Sequence, residues 1–445
     1  MRVLLVDPDY CGLDLAWRAR EAGHEVRWWV PPDKETGQEV RDGEGFPGIQ
    51  RVPTWKPHMA WAKDGLIINT FNEKNTTAEL DKYKAFGFPV FGPSLKSAEL
   101  ERNRGLFMKV LEKHGIVVPT FQTFQTLDDA IDFAWKAQDC YVFKTMGDEE
   151  DKSLSFVPHD PRELIGWMEA KRSQGLKLKG PCMLQEKVEL VCEVGVSAWM
   201  GSQGFLPNKF NINFEHKKFL NNDRGPNTGE MGTVCQYVSD SALAEEVLLP
   251  LEETLLELGH LGDFDVGCGI EKDGTPRVFE CTARMGWPST NILCSSHTCD
   301  PVEWMKDAQE GRDTLEVDQR CHVGVLMAHP PFPSPNTDPS TSVGFPIEGL
   351  EEVWKHVSPC QIMLAPGPVS EDGKNVKGMT YQMTGDYVCV VTAPGPDVHD
   401  AIQDVYAAVN RIRFPDMIFR DDIGKKLEKE LPLLHAFGYH EMPNW

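Results

Sequence analysis

The chain has 445 residues, more than one compact core accommodates, and its length predicts about three domains or subdomains. Its 45 Lys and Arg against 68 Asp and Glu, a formal charge of -23, disfavour a nucleic-acid backbone or an anionic membrane as the main partner. Twelve cysteines form no CxxC pair, which excludes a zinc ribbon or a thioredoxin-type redox site and points to reduced thiols in a cytoplasmic enzyme.

The opening MRVLLVDPDY reads as a strand and a turn rather than a leader, and no run of about 18 apolar residues follows, so neither secretion nor membrane insertion is expected. A strand at Arg2 to Asp7, a helix at Leu13 to Ala22 and a strand at His24 to Val30 begin a doubly wound α/β unit. Gly65 to Asn69 and Pro89 to Phe91 continue it around a helix from Thr77 to Phe86. Leu100 to His114 reads as one basic helix. A compact α+β lid follows, with strands at Tyr141 to Lys144, Met183 to Lys187 and Cys192 to Trp199 and one helix near Arg162 to Arg172.

Leu243 to Leu258 reads as a long helix that Pro250 kinks or divides. Asp263 to Glu271 and Arg277 to Thr282 form a hairpin across KDGT. The last domain begins near Arg320, with strands at His322 to Met327 and Asp386 to Thr392 and a helix from His399 to Ile412; Pro330 to Ser342 reads as a surface loop.

Four stretches carry polar groups in patterns that suit chemistry. Glu215 to Gly232, EHKKFLNNDRGPNTGEMG, suits a rigid substrate-facing turn: Lys217 and Lys218 can hold phosphate oxygens, Asp223 an ammonium group, and Gly229 and Gly232 let backbone N–H groups approach an anion. An exposed Gly, Pro and Asn loop is the alternative. Lys144 ends an apolar strand before a turn that reaches Lys152 and Ser153, a position suited to nucleotide phosphates or to an ordinary surface lysine. In MLQEKV, backbone groups at Glu186, Lys187 and Val188 can pair with an adenine edge and Glu193 with ribose hydroxyls, although an amphipathic edge strand reads the same way. In VFECTARMGWP, Glu280 and Thr282 share a strand face and can hold Mg²⁺, while Arg284, two further on, can stabilise an acyl phosphate or merely pair with Glu280 at the surface.

Taken together with FGPS at Phe91 to Ser94, the basic helix with Arg104 and the terminal IRFPDMIFRDDIG, this order of motifs resembles an ATP-grasp enzyme, and more closely phosphoribosylamine–glycine ligase (glycinamide ribonucleotide synthetase), over nearly the whole chain. The resemblance implies a mixed α/β and α+β ATP-grasp fold: a doubly wound N-terminal domain at 1–98, an ATP-grasp domain at 99–316 with its lid at about 120–192, and a C-terminal α/β domain at 317–445. It implies an ATP-dependent ligase, using Mg²⁺ or Mn²⁺, that phosphorylates a carboxylate and passes the acyl group to an amine. Arg104, Lys144 and Lys152 match nucleotide-phosphate positions, Glu186, Val188 and Glu193 the adenosine site, and Glu280 with Thr282 the metal site. Asp223, Asn227, Thr228 and Arg284 match positions around the amino acid and its activated carboxylate, with Arg284, Lys217 and Lys218 in catalytic roles. Glycine or a similarly small amino acid is the expected carboxylate, and a monomer or homodimer the expected assembly.

The departures from the family pattern concentrate at two places. Thr282, Trp287 and Ser289 stand for Asn, Asp and Glu, Gly229-Glu230 for Gly-Gly, and DEED occupies the phosphate-covering turn. On the acceptor side, DPDYCG replaces a glycine-rich loop and Thr384-Gly385-Asp386 replaces Gly-Gly-Arg, which predicts an acceptor other than a phosphorylated amine, cationic or a modified nucleoside. A true phosphoribosylamine–glycine ligase of purine biosynthesis and a catalytically degenerate ATP-binding protein are the alternatives.

Overall fold

The computed structural model of the chain describes residues 1–33, 37–146, 154–334, 343–371 and 374–445, so Lys152 and the acidic turn before it lie outside the described residues. The first sheet is built from β1 (Arg2–Val6), β2 (Glu25–Trp29), β3 (Ile49–Arg51), β4 (Leu66–Asn69) and β5 (Val90–Phe91), all parallel in the order β3-β2-β1-β4-β5. Val3 to Val6 are wholly buried, as a strand covered on both faces requires, with α1 (Leu13–Glu21), α2 (Met59–Ala62) and α3 (Lys74–Ala85) as the connections. Chain direction across the sheet reverses between β1 and β4, so the loops after these two strands flank the crevice where ligands of such sheets bind.

The single basic helix expected over Leu100 to His114 is two helices, α4 (Leu95–Arg102) and α5 (Arg104–Lys113). Asn103 breaks the run at φ -111°, ψ 86°, and its side chain accepts from the Leu106 N–H at 3.1 Å, which caps α5 and places Arg104 at its first position. The lid sheet has β6 (Phe121–Phe124), β7 (Tyr141–Thr145) and β8 (Cys182–Glu186) in the antiparallel order β6-β8-β7. Two helices cover it rather than the one expected: α6 (Leu127–Lys136), started by Thr126 accepting from the Asp129 N–H at 3.1 Å, and α7 (Pro161–Ser173). Their apolar faces share a separate small core with Phe143 and Leu184.

The nine-stranded sheet contains β9 (Leu190–Gly201), β10 (Gly204–Phe205), β11 (Phe210–Glu215), β14 (Gly232–Val238), β15 (Gly262–Glu271), β16 (Pro276–Thr282), β17 (Cys321–Ala328), β18 (Val357–Pro359) and β21 (Tyr387–Gly395). Its order is β16-β15-β9-β11-β14-β17-β21-β18, with β10 paired to β9, so the strands expected of a last domain continue the central sheet through β14 and β17. The stretch first read as a rigid turn contains a two-stranded ribbon, β12 (Lys218–Leu220) against β13 (Arg224–Asn227). A long hairpin unforeseen from the sequence, β19 (Ile362–Glu371) and β20 (Lys374–Met383), docks on the N-terminal unit, where Gly43 N–H donates to Ile362 at 2.8 Å and Leu364 N–H to Glu44 at 2.8 Å.

Pro250 divides its helix into α8 (Ala242–Val247) and α9 (Glu252–Glu257) across a short 3₁₀ turn. The remaining helices are α10 (Ser289–Ser296), α11 (Glu303–Gln309), α12 (Val398–Val409) and α13 (Leu427–Ala436). Among the described residues no helix is long and apolar enough to cross a membrane.

Candidate functional site

A cavity of about 800 Å³ opens between the lid, the nine-stranded sheet and the α4–α5 segment that carries Glu101 and Arg104, and every predicted site residue that is described lines it. One part of it holds a constellation of four charges. Lys144, at the end of β7, donates to Gln185 Oε1 at 2.7 Å and lies 5.6 Å from the Phe279 ring centre. Burial, reinforced by the neighbouring Arg104, lowers its pKa to about 8. Arg104 donates to Thr145 O at 3.2 Å and to Ser155 Oγ at 3.4 Å, and its guanidinium reaches within 3.7 Å of Glu280. Lys217 pairs with Glu280 at 2.7 Å and with Glu215 at 2.9 Å. The Lys217 charge, with help from Arg104 and Lys144, holds the Glu280 carboxyl well below its ordinary pKa despite burial. Burial opposes the charge on Lys217, but Glu215 and Glu280 outweigh it and raise its pKa.

Alternation along β16 turns Glu280 and Thr282 to one face, and the β15–β16 register sets Asp265 opposite Thr282. Asp265 accepts from Asn213 Nδ2 at 2.6 Å; burial, and then Glu215, push its pKa up to about 7. Asp263, on the same strand, is raised further by burial and by Asp265, and its Oδ1 has no hydrogen-bond partner. The donors that Glu280, Thr282 and Asp265 offer are all hard oxygens, and Asp263 beside them keeps a buried oxygen without a partner. The residues therefore fit a divalent cation at Glu280 and Thr282, with Asp265 adjacent.

The surface ion pair considered between Glu280 and Arg284 does not form. β16 ends at Thr282, so strand alternation does not aim Arg284; Glu101 does. Glu101 Oε1 lies 3.4 Å from Arg284, while its Oε2 accepts from Ala283 N–H at 2.9 Å and Asn72 Nδ2 at 2.8 Å. The guanidinium also donates to Met285 O at 2.9 Å and lies 4.8 Å from the ring centre of Phe71, just after β4 in the crevice.

Glu186, Val188 and Glu193 also line the cavity, and the Glu193 charge reaches Lys144 and Lys217. The Glu186 and Lys187 N–H groups are already taken by Thr120 O at 2.8 Å and Cys140 O at 2.9 Å, so of the three amides expected at an adenine edge Val188 alone is uncommitted among the described residues. The Glu186 carboxylate accepts from Thr120 Oγ1 at 2.7 Å.

The ribbon positions Lys218, Asp223, Asn227 and Thr228 on the third side of the cavity. Asn222 and Asp223 turn the chain at φ 58° and 51°, a conformation that their side chains tolerate. Thr228 is fixed by its N–H and hydroxyl, which donate to Lys217 O at 2.7 and 2.9 Å. From the far end of the chain, Arg420 donates to Asp223 Oδ1 at 2.8 Å and Lys218 O at 3.0 Å while binding Asp422 with its other nitrogens at 2.7 and 2.9 Å. Gly424 N–H donates to His216 at 3.1 Å and Lys426 to Glu215 O at 3.2 Å.

One sequence expectation on the acceptor side is corrected. Asp7 does not face a substrate: it is fully buried and accepts from Gly12 N–H at 2.8 Å, Thr70 Oγ1 at 2.8 Å and Trp28 Nε1 at 3.1 Å, organising its own loop. The stretch read as a surface loop from Pro330 is a turn over its described part, to Ser334, and Phe332 and Pro333 in it line the cavity. Asp386 is half-buried, and burial raises its pKa to about 6, while the Thr384 hydroxyl donates to the buried Asp42 of the N-terminal unit. Glu101, Glu215 and Arg420 received no role from the sequence. Arg420 carried a signal, as part of the RDDIG motif, whereas Glu101 looked like one more charge on a helix.

No protein-family model matches the chain. A phosphoribosylamine–glycine ligase of Allochromatium vinosum is 27% identical over 451 residues, covering 96% of this chain and 98% of that protein. The crystal structure of phosphoribosylamine–glycine ligase from Thermotoga maritima matches with a TM-score of 0.66 at 20% identity, covering 95% of this chain and all of that one. An L-amino acid ligase from Bacillus licheniformis matches with a TM-score of 0.58 at 16% identity over 93% of this chain and 98% of its own.

Proposed function

From an ATP-grasp fold and a sequence that resembles phosphoribosylamine–glycine ligase along nearly its whole length, we propose that the protein is an ATP-dependent carboxylate–amine ligase working through an acyl phosphate on glycine or a similarly small amino acid. The observation that carries the reading is the convergence of Arg104, Lys144, Lys217 and Glu280 at one end of a single cavity, with Arg284 lining another part of it.

Lys144 and Arg104, with Lys152, hold the nucleotide phosphates; Val188 offers its amide to the adenine, with Glu186 beside it, and Glu193 meets the ribose. Asp223, Asn227 and Thr228 bind the amino acid, Asp223 taking its ammonium group with the oxygen that Arg420 leaves open. Glu280 and Thr282 hold Mg²⁺ or Mn²⁺, which when bound draws charge from the phosphate oxygens. The carboxylate attacks the γ-phosphorus and ADP leaves; the amine then attacks the acyl carbon and phosphate leaves. Arg284 steadies the negative charge of the acyl phosphate, while Lys217 and Lys218 supply further positive charge beside it. Held by Glu101, Arg284 needs no reorganisation as charge develops.

The test is ADP production with Mg²⁺ and glycine, using hydroxylamine as the trapping amine. Wild type forms glycyl hydroxamate in step with ADP, and Glu280→Ala lowers the rate on the order of 10²- to 10³-fold. ATP binding without ADP or hydroxamate, across a panel of small amino acids, contradicts the reading. The name shared by the curated relatives favours a second reading, a phosphoribosylamine–glycine ligase of purine biosynthesis. Production of glycinamide ribonucleotide from phosphoribosylamine and glycine at kcat/KM of about 10⁴ M⁻¹s⁻¹ or more establishes that second reading.

A further inference from the structure

Beside Arg284 the cavity wall changes character. Glu230, 7% exposed, follows the ribbon and is held in place by Met231 N–H donating to His216 O at 2.9 Å. Its carboxyl accepts from Ser289 Oγ at 3.2 and 3.3 Å and from the Thr233 hydroxyl, and it shares a hydrogen bond with the carboxyl of Glu215. The basic groups whose charges reach it are already matched, Lys217 with Glu280 and Glu215, and Arg284 with Glu101. Burial, and then Glu215, push its pKa well up. A buried carboxyl whose partners are hydroxyls and another carboxyl lacks a counter-ion.

The surroundings of Glu230 point outward to a ligand as well. Trp287, 9% exposed, lines the same wall, and its indole N–H has no partner. The Tyr387 hydroxyl is also buried without a partner, close enough to feel the charges of Glu230 and Asp9. Phe332 lines the cavity and packs 6.2 Å from the Tyr387 ring centre. Asp9 lies near enough to Arg284 to raise its pKa. A phosphate dianion placed here meets the buried carboxyl of Glu230.

We propose that Glu230 selects the acceptor: this end of the cavity takes a cationic, non-phosphorylated amine, whose ammonium group binds the Glu230 carboxylate between the aromatic walls of Trp287 and Phe332. The inference rests on the ligase reading and names the substrate class of its second half. An ammonium group supplies the counter-charge that Glu230 lacks, since the cation of its neighbour Glu215, Lys217, is shared with Glu280, and the Glu230 carboxyl ionises against it. Neither the glycine-binding ribbon nor the phosphate-binding constellation requires a carboxyl at position 230.

Binding calorimetry with glycine and a non-hydrolysable ATP analogue present tests this with two probes, 1,4-diaminobutane and O-phosphoethanolamine. Wild type binds the diamine at least tenfold more tightly than the phosphorylated amine, Glu230→Gln abolishes most of that preference, and Glu230→Asp retains part of it. Equal or tighter binding of O-phosphoethanolamine, no measurable binding of the diamine, or a Glu230→Gln variant that binds the diamine like wild type overturns the proposal. The wild-type comparison needs no variant to fold. Hydroxamate formation is read separately, so a protein that binds the diamine but makes no hydroxamate contradicts the ligase reading and leaves the charge preference of this wall standing.

Discussion

Arg420 and Asp223, 197 positions apart, meet at 2.8 Å, and the guanidinium that makes this contact is buried while the Asp223 side chain is about half exposed. The same guanidinium carries Asp422 and the Lys218 carbonyl, so one side chain fastens the C-terminal segment to the ribbon that lines one side of the cavity. Replacing it by Met removes the partner of a mostly buried carboxylate. Arg420→Met is expected to cost about 3 kcal/mol in chemical denaturation, at the lower end for a broken buried pair because Asp223 is partly solvated. Arg420→Lys keeps the charge but not the fork of donors, and is expected to raise the KM for the amino acid more than that for ATP.

Asn103 governs Arg104 through its cap. Asn103→Ala leaves the first turn of α5 without its side-chain acceptor, and a loss of about 1 kcal/mol is expected from thermal or denaturant unfolding. Because Arg104 is the first residue of that helix, the KM for ATP rises several-fold in the same variant.

Lys144 ties nucleotide affinity to pH. In the free protein its ammonium loses its proton at about pH 8. Bound phosphates favour the charged form, so binding above that pH takes up a proton and affinity falls as pH rises through 8, by at most about tenfold per pH unit. The KM for ATP measured from pH 7 to 9.5 rises accordingly. Lys144→Arg, whose guanidinium stays charged throughout, flattens that rise.

Glu101 acts on Arg284 rather than on substrate. Glu101→Gln keeps the acceptor for Ala283 N–H but removes the counter-charge of the guanidinium. The expected outcome is a fall in kcat of on the order of tenfold with little change in the KM for ATP, read from steady-state hydroxamate formation. Equal losses in kcat and stability would mark Glu101 as a structural residue only.

The parts of this fold legible in the sequence are those specified locally. RVLLV announces a strand buried on both faces, and alternation in β16 assigns Glu280 and Thr282 to one side without any knowledge of their neighbours. The lid helix α6 was legible too, since Thr126 precedes an apolar series at Leu127, Ile131 and Ala134, but the prediction of a single lid helix passed over it. The long hairpin was not, because Pro366, Gly367 and Pro368 interrupt β19 with residues that ordinarily mark turns. Least legible were roles that exist only through tertiary contact. Glu215 and Glu230 lie 15 positions apart and become a carboxyl pair only because β11 and β14 are neighbours in the sheet. Asp7 shows the converse, a charge that composition places at a substrate and packing turns inward.

The central claim is that a small amino acid's carboxylate oxygen passes to phosphate through an acyl phosphate. Glycine labelled with ¹⁸O in both carboxylate oxygens, turned over with ATP, Mg²⁺ and hydroxylamine, tests it directly. The account predicts one ¹⁸O in each inorganic phosphate released, with the second retained in the hydroxamate. Phosphate released without label while ADP accumulates would contradict it, because the terminal phosphoryl group would then have gone to water and never to the carboxylate.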